Sequence, residues 1–404
     1  MDSLRATAVA GLLALAACTA NPAADAGTRP TQDPSQAPTQ APTQAPTQEP
    51  ARAVPSSATS DLLVTGNSFW GRRIDTAAQA SALGVRWPFS RLSTLRRDDY
   101  DAWITGLECP SVPGVHPSDY EQETLLLFNC DPAYLQQAAK WFDVVSLANN
   151  HTDNQGRQGV EATRRQLDRH GIGYFGDPDP QRLDRVCSVI GIPARVRLDD
   201  GTTTDGHLPL GLCGFHAVFE IPSHKSLHVM QRLSKRVPVL ALPHSGLEYV
   251  AREVGIKVDL YRSLIDHGAD AVLGDHAHWV QGAEAWHGKL IVYSMGNFMF
   301  DQQGDSEVTR SAAIRVRLVV DDFPGLEEWL ELGEECAAMP DCSRVVEEAG
   351  LPEPSTAMRF GVVGTTNPGM LTQAATRAQT AAILDRLDWA EAVDGLRPPY
   401  VALR

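Results

Sequence analysis

The pattern that indicates the architecture of this chain is clearest in residues 141–171, WFDVVSLANNHTDNQGRQGVEATRRQLDRHG. Its apolar run from Trp141 to Ala148 predicts a buried strand. Apolar positions at helical spacing from Gly156 to His170, with Gly171 as the stop, predict a helix. The polar loop Asn149-Asn150-His151 therefore joins a strand to a helix.

The same order of apolar run and polar loop recurs along the chain. The other loops are Gly66-Asn67, Leu107-Glu108, His244-Ser245-Gly246-Leu247-Glu248-Tyr249, Gly274-Asp275-His276-Ala277-His278 and Ser294-Met295-Gly296-Asn297-Phe298. Strand, loop and helix in repetition predict an α/β architecture whose loops converge along one edge of the sheets. Because these loops carry imidazoles and hard oxygens, the sequence predicts a divalent metal centre at that edge.

Each loop also has a purely structural interpretation. Asn149-Asn150 is typical of a turn, because Asn tolerates left-handed backbone. His276 and His278 are either metal ligands or two loop histidines on one face, and the convergence of several loops favours metal. Arg72 and Arg73 are either an anion-binding pair or a solvated pair.

The composition is that of an ordinary globular protein. The chain has 404 residues, 43% of them apolar and 21% charged, and a formal net charge of -15. This is enough for one large or two medium domains. A phosphate backbone would meet like charge, and no basic run offsets it, so we exclude nucleic acid as a partner and anionic lipid surfaces as a general one.

Residues 1–18 predict an export signal. Ala6 to Ala17 is apolar but too short to span a bilayer, and small residues precede Cys18. A cysteine in this position resembles a bacterial lipobox. The resemblance implies that Cys18 is lipidated and anchors the protein to the outer face of the cell membrane. An ordinary secretory signal cut near Ala20 is the alternative.

Residues 19–60 predict a disordered tether, because they are almost all Pro, Thr, Gln, Ala, Ser and Asp, with Ala-Pro-Thr-Gln repeated from Ala37, Ala41 and Ala45. The folded domain is predicted over residues 61–404. After Asp301 we find no cluster of ligands. We expect strands from Ser311 to Val320 and from Met358 to Gly364, and a helix over 374–389.

The cysteines support export to an oxidising compartment. Lipidation of Cys18 leaves an even number, namely Cys109, Cys130, Cys187, Cys213, Cys336 and Cys342. Pairing of sequence neighbours, 109 with 130, 187 with 213 and 336 with 342, is the simplest of fifteen connectivities. Free buried thiols are the alternative.

Five motifs follow one another along the chain in a specific order. They are Ser146-Leu147-Ala148-Asn149-Asn150-His151, His244-x-Gly246-x-Glu248-Tyr249, Gly268-Ala269-Asp270, Gly274-x-His276-x-His278 and Tyr293-Ser294-x-Gly296-Asn297-Phe298. Together they resemble the CapA family of capsule-synthesis or poly-gamma-glutamate biosynthesis proteins. The resemblance covers about Leu62 to Asp301. The family is similar to calcineurin-like metallophosphoesterases, which implies a four-layer α/β sandwich with a two-metal site.

The resemblance also implies roles for single residues. The implied metal ligands are Asn67, Glu108, Asn150, His244, His276 and His278, with His151 as the catalytic imidazole. Glu248 and Tyr249 are expected to support His244, and Asn297 also has a supporting role. The implied cofactor is one or two divalent ions of manganese, iron or zinc. Two ions about 3.5 to 4 Å apart would activate a hydroxide for attack on phosphorus, while a protonated histidine assists the leaving group.

The sequence departs from the family pattern at three positions. Asn67 stands where the family has Asp, Gly106 where it has Asn, and Ser245 where it has Trp. A neutral carbonyl is a weaker ligand for a hard cation than a carboxylate. With Asn67 neutral, Glu108 is the one acidic ligand, so a single ion or a degenerate pocket is an alternative to a two-metal site.

Three functions are open at this point. The first is a metal-dependent hydrolase of phosphate esters or a related polymer bond. The second, implied by the family, is a non-catalytic accessory protein that works with the machinery for synthesis or export of an anionic surface polymer. The third, a plain surface module, would leave the ligand loops without a role. Asn67 favours the second function and His151 favours the first.

Overall fold

The computed structural model describes residues 52–352 and 354–403. The export signal, Cys18 and most of the predicted tether lie outside the described residues. The first strand begins at Pro55, before the predicted start of the domain at Asp61. Its inner half is fully buried, so the ordered domain takes in the last residues of the segment predicted as tether.

Fifteen strands and ten helices form the described part of the chain. The strands are β1 Pro55–Ser68, β2 Ala102–Leu107, β3 Val144–Ser146, β4 Gly173–Phe175, β5 Cys187–Leu198, β6 Thr203–Ala217, β7 Val239–Ser245, β8 Ala271–Leu273, β9 Ala283–Trp286, β10 Lys289–Val292, β11 Asn297–Met299, β12 Arg310–Asp321, β13 Thr356–Thr366, β14 Gln373–Ala374 and β15 Tyr400–Ala402. The helices are α1 Arg72–Ala80, α2 Asp119–Glu123, α3 Leu135–Ala138, α4 Gly156–His170, α5 His224–Leu233, α6 Gly255–Asp266, α7 Leu326–Ala337, α8 Ser343–Ala349, α9 Arg377–Arg386 and α10 Trp389–Asp394. Short 3-10 helices cover Gly84–Phe89, Leu92–Leu95, Arg97–Asp99, Pro132–Tyr134 and Pro368–Met370.

The strands form two layers that share β1. In the first layer β4, β3, β2 and β1 are parallel, and β12 and β13 continue it in antiparallel pairing. In the second layer the hairpin of β5 and β6 leads into parallel β7, β8 and β10. Residues 55–59 of β1 pair with β5, whereas residues 62–68 pair with β2. The parallel strands of each layer therefore send their carboxyl ends to loops on the same side.

Alternation along the strands shows that helices cover both outer faces. Leu62 and Val64 of β1 lie in the core between the layers, and Leu63 lies in a second core under the first group of helices. Likewise Leu240 of β7 faces the inner core, and Ala241 packs toward α5 and α6. Successive side chains point to opposite faces of a strand. The predicted four-layer α/β arrangement is confirmed.

All three predicted disulfides are present. Cys109 pairs with Cys130, Cys187 with Cys213 and Cys336 with Cys342. The second of these joins β5 and β6 at positions that are also register partners in the hairpin. The third closes a short loop at the end of α7, in an acidic segment for which no secondary structure was predicted.

Most elements predicted from sequence lie where expected, with differences at their ends. Helix α4 has the predicted bounds, and β12 includes the predicted strand from Ser311 to Val320. The single helix predicted over 374–389 is instead two, α9 and α10, which break at Asp388 with a φ of 52°. Among residues 52–352 and 354–403, no helix is both long and apolar enough to cross a membrane.

Candidate metal centre

Loops at the carboxyl ends of β1, β2, β3, β7 and β8 bring the predicted ligands together. Glu108 follows β2, Asn150 follows β3 and His244 lies near the end of β7. His276 and His278 come from the loop after β8. All except Asn150 are nearly fully buried. Five separated segments thus place their polar side chains at one edge of the sheets, as the sequence predicts.

His244 lies at the centre of a chain of short contacts. Its Nδ1 is 2.6 Å from Oδ1 of Asp275, and its Nε2 is 2.8 Å from Oδ1 of Asn150. The same Nε2 is 3.1 Å from Nδ1 of His276. Burial lowers the pKa of His244 well below its usual range, and that of His276 as well. Two neutral imidazoles thus meet nitrogen to nitrogen, and one of the two atoms must offer a lone pair.

His278 connects the histidines to the buried acid. Its Nδ1 is 2.8 Å from Oδ1 of Asn297, which orients the ring. Its Nε2 points the other way, 3.7 Å from Oε1 of Glu108 and 3.8 Å from Oε1 of Glu248. Burial lowers the pKa of His278 to about 4. An imidazole fixed through one nitrogen and facing carboxylates with the other is the usual arrangement of a metal-binding histidine.

Glu108 has an unsatisfied carboxyl oxygen in this site. The residue is 1% exposed, and its Oε2 has no hydrogen-bond partner among the described residues. Burial raises the pKa of Glu108 well above its usual range, and the nearby carboxylates of Asp275 and Glu248 raise it further. A buried carboxylate without a partner is costly. A cation beside Glu108 would remove that cost.

Asn67 lies in the cluster, but its oxygen is already used. Oδ1 accepts from the backbone N–H of His276 at 3.3 Å, and Nδ2 is 3.3 Å from Nδ1 of His278. The side chain therefore holds the loop that carries both histidines. Its role as a ligand stays a prediction, and the observed contacts are those of a residue that positions other ligands.

Glu248 and Tyr249 face His276 and His278 rather than His244, which they were predicted to support. Oε1 of Glu248 is 4.0 Å from Nε2 of His276, and the ring of Tyr249 stacks on that of His278 with centroids 5.3 Å apart. The hydroxyl of Tyr249 accepts from Gln302 at 2.6 Å. Glu248 is thus close enough to the imidazoles to act as a ligand itself.

His151 lies beside the cluster, and its backbone N–H donates to Oδ1 of Asn149 at 2.7 Å. Its Nδ1 is 3.1 Å from Oδ1 of Asn154, and its ring packs on Phe128 with centroids 4.4 Å apart. Burial lowers the pKa of His151 to about 4. No hydrogen bond between described residues joins its ring to the other histidines. The ring is neutral near pH 7, so the protonated form predicted from the resemblance is not the resting state.

Arg72 and Arg73 do not form the solvated pair that was one of their two predicted roles, because only Arg73 is solvated. Arg72 is almost buried, and Asp301 accepts from its guanidinium at 2.9 and 2.6 Å. Arg73 is exposed and paired with Glu123. Both guanidiniums are committed to carboxylates of the chain.

The backbone of the site is strained. Tyr249, His276 and His278 have φ angles of 56°, 84° and 59°. Side chains other than glycine enter this left-handed region at an energetic cost, which the surrounding structure must offset. Strain of this kind concentrates at functional sites, and here it falls on two histidines of the cluster and on the tyrosine stacked against one of them.

The residues present fit a divalent metal. The set combines neutral imidazoles, a carboxylate oxygen without a partner and amide carbonyls, which are the ligands that zinc, manganese and iron accept. Among residues 52–352 and 354–403, however, no group of three or more His, Cys, Asp or Glu side chains forms a ready-made site. The candidate ligand side chains lie close together, but each observed contact joins only two of them.

Sequence reasoning missed three residues of this site. Asp275 lies inside a motif already singled out, and burial raises its pKa to about 7. Asn149 precedes Asn150, and its Nδ2 is 3.1 Å from Nε2 of His244. His216 is the register partner of His244 on the neighbouring strand. The first two were accessible from their position in the motifs. His216 carried no such signal, because only strand pairing brings it to the site.

Comparison with known proteins gives relatives among capsule proteins. The chain is 28% identical over 189 residues to the capsule biosynthesis protein CapA of Bacillus anthracis, covering 44% of each chain. It is equally similar to the PGA biosynthesis protein CapA of Bacillus subtilis strain 168, covering 44% of this chain and 47% of that one. The match spans less than half the length of these curated relatives.

One solved structure, TT1561 of Thermus thermophilus, superimposes with a TM-score of 0.31 and 10% identity, over 63% of this chain and 93% of that one. A similarity at this level supports no functional comparison. The sequence model of the family described as bacterial capsule synthesis protein PGA_cap matches residues 61–196 and 226–302. The predicted resemblance is confirmed, and because the match covers more than half of the 404 residues, the chain belongs to the PGA_cap family of bacterial capsule synthesis proteins.

Proposed function

We propose that this protein works at the outer face of a bacterial cell membrane, anchored through Cys18, in the synthesis or export of an anionic capsule polymer of the poly-gamma-glutamate kind. We further propose that it carries a divalent metal centre that hydrolyses phosphate esters or a related polymer bond. Membership of the PGA_cap family and the names of the two CapA relatives support the first part. The donor set at the sheet edge supports the second.

The observation that carries the metal centre is Glu108. Its carboxylate is buried, one of its oxygens has no partner among the described residues, and the other lies 3.7 Å from Nε2 of His278. If this edge of the sheets served only for packing, an apolar side chain in place of Glu108 would make the folded protein more stable. A buried carboxylate next to neutral imidazoles is stabilised by a cation, so we infer that a metal completes the site.

The residues that would hold the metal are His244, His276, His278, Glu108 and Asn150. When bound, a divalent ion would polarise the substrate and lower the pKa of water, which is the chemistry of hydrolysis. Asp275 and Asn297 hold the rings of His244 and His278 through the Nδ1 atoms, so the Nε2 of His278 is available to the metal. The Nε2 of His244 would exchange its present contacts with Asn150 and His276 for the metal.

His151 would serve at the rim of this site. Because burial holds its imidazole neutral near pH 7, it would accept a proton before donating one. An anionic substrate nearby would raise its pKa, and the proton then held on the ring would be available to the leaving group.

The test is metal content and turnover of the full-length protein. We expect at least one bound divalent ion per chain and manganese-stimulated hydrolysis of a phosphodiester or phosphomonoester. Replacing His244, His276 and His278 together with Ala should remove the metal. His151→Ala should leave the metal in place and abolish turnover, and His287→Ala, at an exposed histidine, should change neither. A folded triple variant that keeps its metal contradicts the proposal.

A second candidate, a non-catalytic accessory protein, is favoured by Asn67. The residue supplies no charge, and its oxygen accepts from the backbone of His276. In that case the protein would bind metal as a structural element and show no turnover with either class of phosphoester. Metal at full occupancy with no hydrolysis, and no effect of His151→Ala, would select this function.

A further inference from the structure

A cavity of about 390 Å³ lies beside the metal centre. It is lined by residues of the loop after His151, of α4 and of the segments that follow β4 and β6, among them Asp153, His216, Phe219 and Glu220. Because His216 is the register partner of His244, one wall of the cavity adjoins the candidate metal centre. The volume is that of a site for a small molecule or a polymer end.

His216 gives the cavity an unused hydrogen-bond acceptor. The residue is 7% exposed, and its Nδ1 is 2.5 Å from the backbone oxygen of Pro178. Nδ1 must donate in that bond, so Nε2 carries the lone pair. Nε2 has no partner among the residues that the structure describes. A buried acceptor left unpaired is costly, and a ligand that donates to it would recover that cost.

The charge around the cavity is negative. Its two arginines are already paired: Arg157 with Asp179 at 3.7 Å and Arg182 with Asp184 at 3.1 Å. Within residues 52–352 and 354–403, the carboxylates of Asp153 and Glu220 have no cationic partner. Glu220 accepts from the side-chain amide of Gln181 at 2.7 Å. The cavity therefore disfavours anions and has free capacity for one positive charge.

Phe219 adds an aromatic wall. Its side chain is 80% exposed, and its ring meets that of His216 nearly edge-on with centroids 5.6 Å apart. An exposed aromatic ring beside unpaired carboxylates is suited to a cation that has some apolar surface.

We propose that this cavity, lined by Asp153, His216, Phe219 and Glu220, is a binding site for a protonated primary amine. An ammonium group has three N–H donors and no acceptor. One donor would go to Nε2 of His216, a second to the carboxylate of Asp153, and the aliphatic part of the ligand would lie on Phe219. Two sources carry such a group, an amino sugar and the free α-amine of a peptide. The proposal needs no turnover and so stands apart from the proposed hydrolysis.

The test is a binding titration of the full-length protein at pH 6, followed by NMR or calorimetry. The probes are glucosamine for the sugar source and alanine amide for the peptide source. N-acetylglucosamine and N-acetylalanine amide are the matched controls, because acetylation removes the charge and keeps the rest. We expect one of the two amines to bind at least about tenfold more tightly than its acetylated control, the usual difference for a charge-assisted hydrogen bond.

Variants tie the binding to the cavity. Asp153→Asn should weaken amine binding about tenfold, because the charge is lost while the exposed loop can fold as before. Asp205→Asn, at an exposed carboxylate on the opposite end of β6, is the control and should have no effect. His216→Phe should also weaken binding, with circular dichroism to confirm the fold. Equal binding of amines and acetylated controls, no binding by either amine, or binding unchanged by Asp153→Asn would each overturn the proposal.

Discussion

The two halves of β1 handle charge in opposite ways. In the amino-terminal half, the partly buried carboxylate of Asp61 accepts from Arg315 at 2.9 Å and from Arg317 at 2.8 Å, and its backbone N–H donates to Asp101. At the other end, next to Asn67, the carboxylate of Glu108 has an oxygen without a partner among the described residues.

The difference distinguishes polar groups that stabilise the fold from polar groups that are available to bind a ligand. Where a strand needs only to be stable, its partly buried charges are paired, as at Asp61. Where ionisable groups are buried without hydrogen-bond partners, among neutral imidazoles on strained backbone, the fold bears a cost that binding can offset. The contrast can be tested by changing one end at a time.

The largest expected effect is a loss of stability in acid that comes from the site end. Burial lowers the pKa of five histidines: His151, His216, His244, His276 and His278. As pH falls from 6.5 toward 4, the unfolded chain takes up protons that the folded chain cannot. The raised pKa values of Glu108, Glu248 and Asp275 and the lowered pKa of Lys257 act in the opposite direction, but they offset only part of the effect of the five histidines. We expect the free energy of unfolding to fall by roughly 2 to 4 kcal/mol between pH 7 and pH 5.

Urea unfolding at pH 7, 6 and 5, in the presence of a chelator, measures this loss. His278→Phe should flatten the pH dependence, since one imidazole with a depressed pKa is gone. His287→Ala, at an exposed histidine, is the matched control and should leave the slope as it is. If the free energy of unfolding stayed constant from pH 7 to pH 5, burial of the histidines at the site end would not destabilise the protein in acid.

The next effect belongs to the paired end. Asp61→Ala leaves the guanidiniums of Arg315 and Arg317 without their shared carboxylate, and their side chains are 30% and 36% exposed. Because water reaches both arginines, we expect a loss of about 2 to 3 kcal/mol, below the full penalty for an isolated buried charge. Metal content should not change. Asp321→Ala, at an exposed carboxylate of the same sheet, should cost less than about 0.5 kcal/mol. If Asp61→Ala and Asp321→Ala lowered the free energy of unfolding equally, the ion pairs of Asp61 would contribute no more to stability than an exposed carboxylate does.

The two ends also differ in how well the sequence predicts them. Hydrophobic periodicity and the glycine stop predicted the bounds of α4, and apolar residues along the chain predicted β12 and β13, because these signals are local. The loop motifs likewise identified the histidines and Glu108. The ion pairs of Asp61 join residues 254 and 256 positions apart in the chain, and no local pattern indicates them. His216 was missed for the same reason, since strand register alone places it beside His244.

A third change should leave stability intact and affect binding alone. Glu108→Gln replaces a carboxyl group whose neutral form burial already favours, as its raised pKa indicates. The free energy of unfolding of the metal-free protein should stay within about 1 kcal/mol of the parent. Metal affinity should fall at least about tenfold, because the acidic ligand is lost. Isothermal titration with Mn²⁺ and urea unfolding of the same samples measure both. A loss of stability as large as that of Asp61→Ala would make Glu108 a structural residue.

The smallest effect concerns backbone strain, and it should change sign between the two regions. His276 has a φ of 84°, so His276→Gly should be more stable than His276→Ala by about 1 kcal/mol, since both remove the ring and only Ala keeps the strain. In the amino-terminal half of β1, Ala58→Gly should instead cost about 1 kcal/mol, because an extended strand gains nothing from glycine. Thermal or urea unfolding of the metal-free variants gives both differences. If Gly and Ala at 276 were equally stable, the left-handed backbone would carry no cost there. The site end would then differ from the Asp61 end only in its unpaired charge.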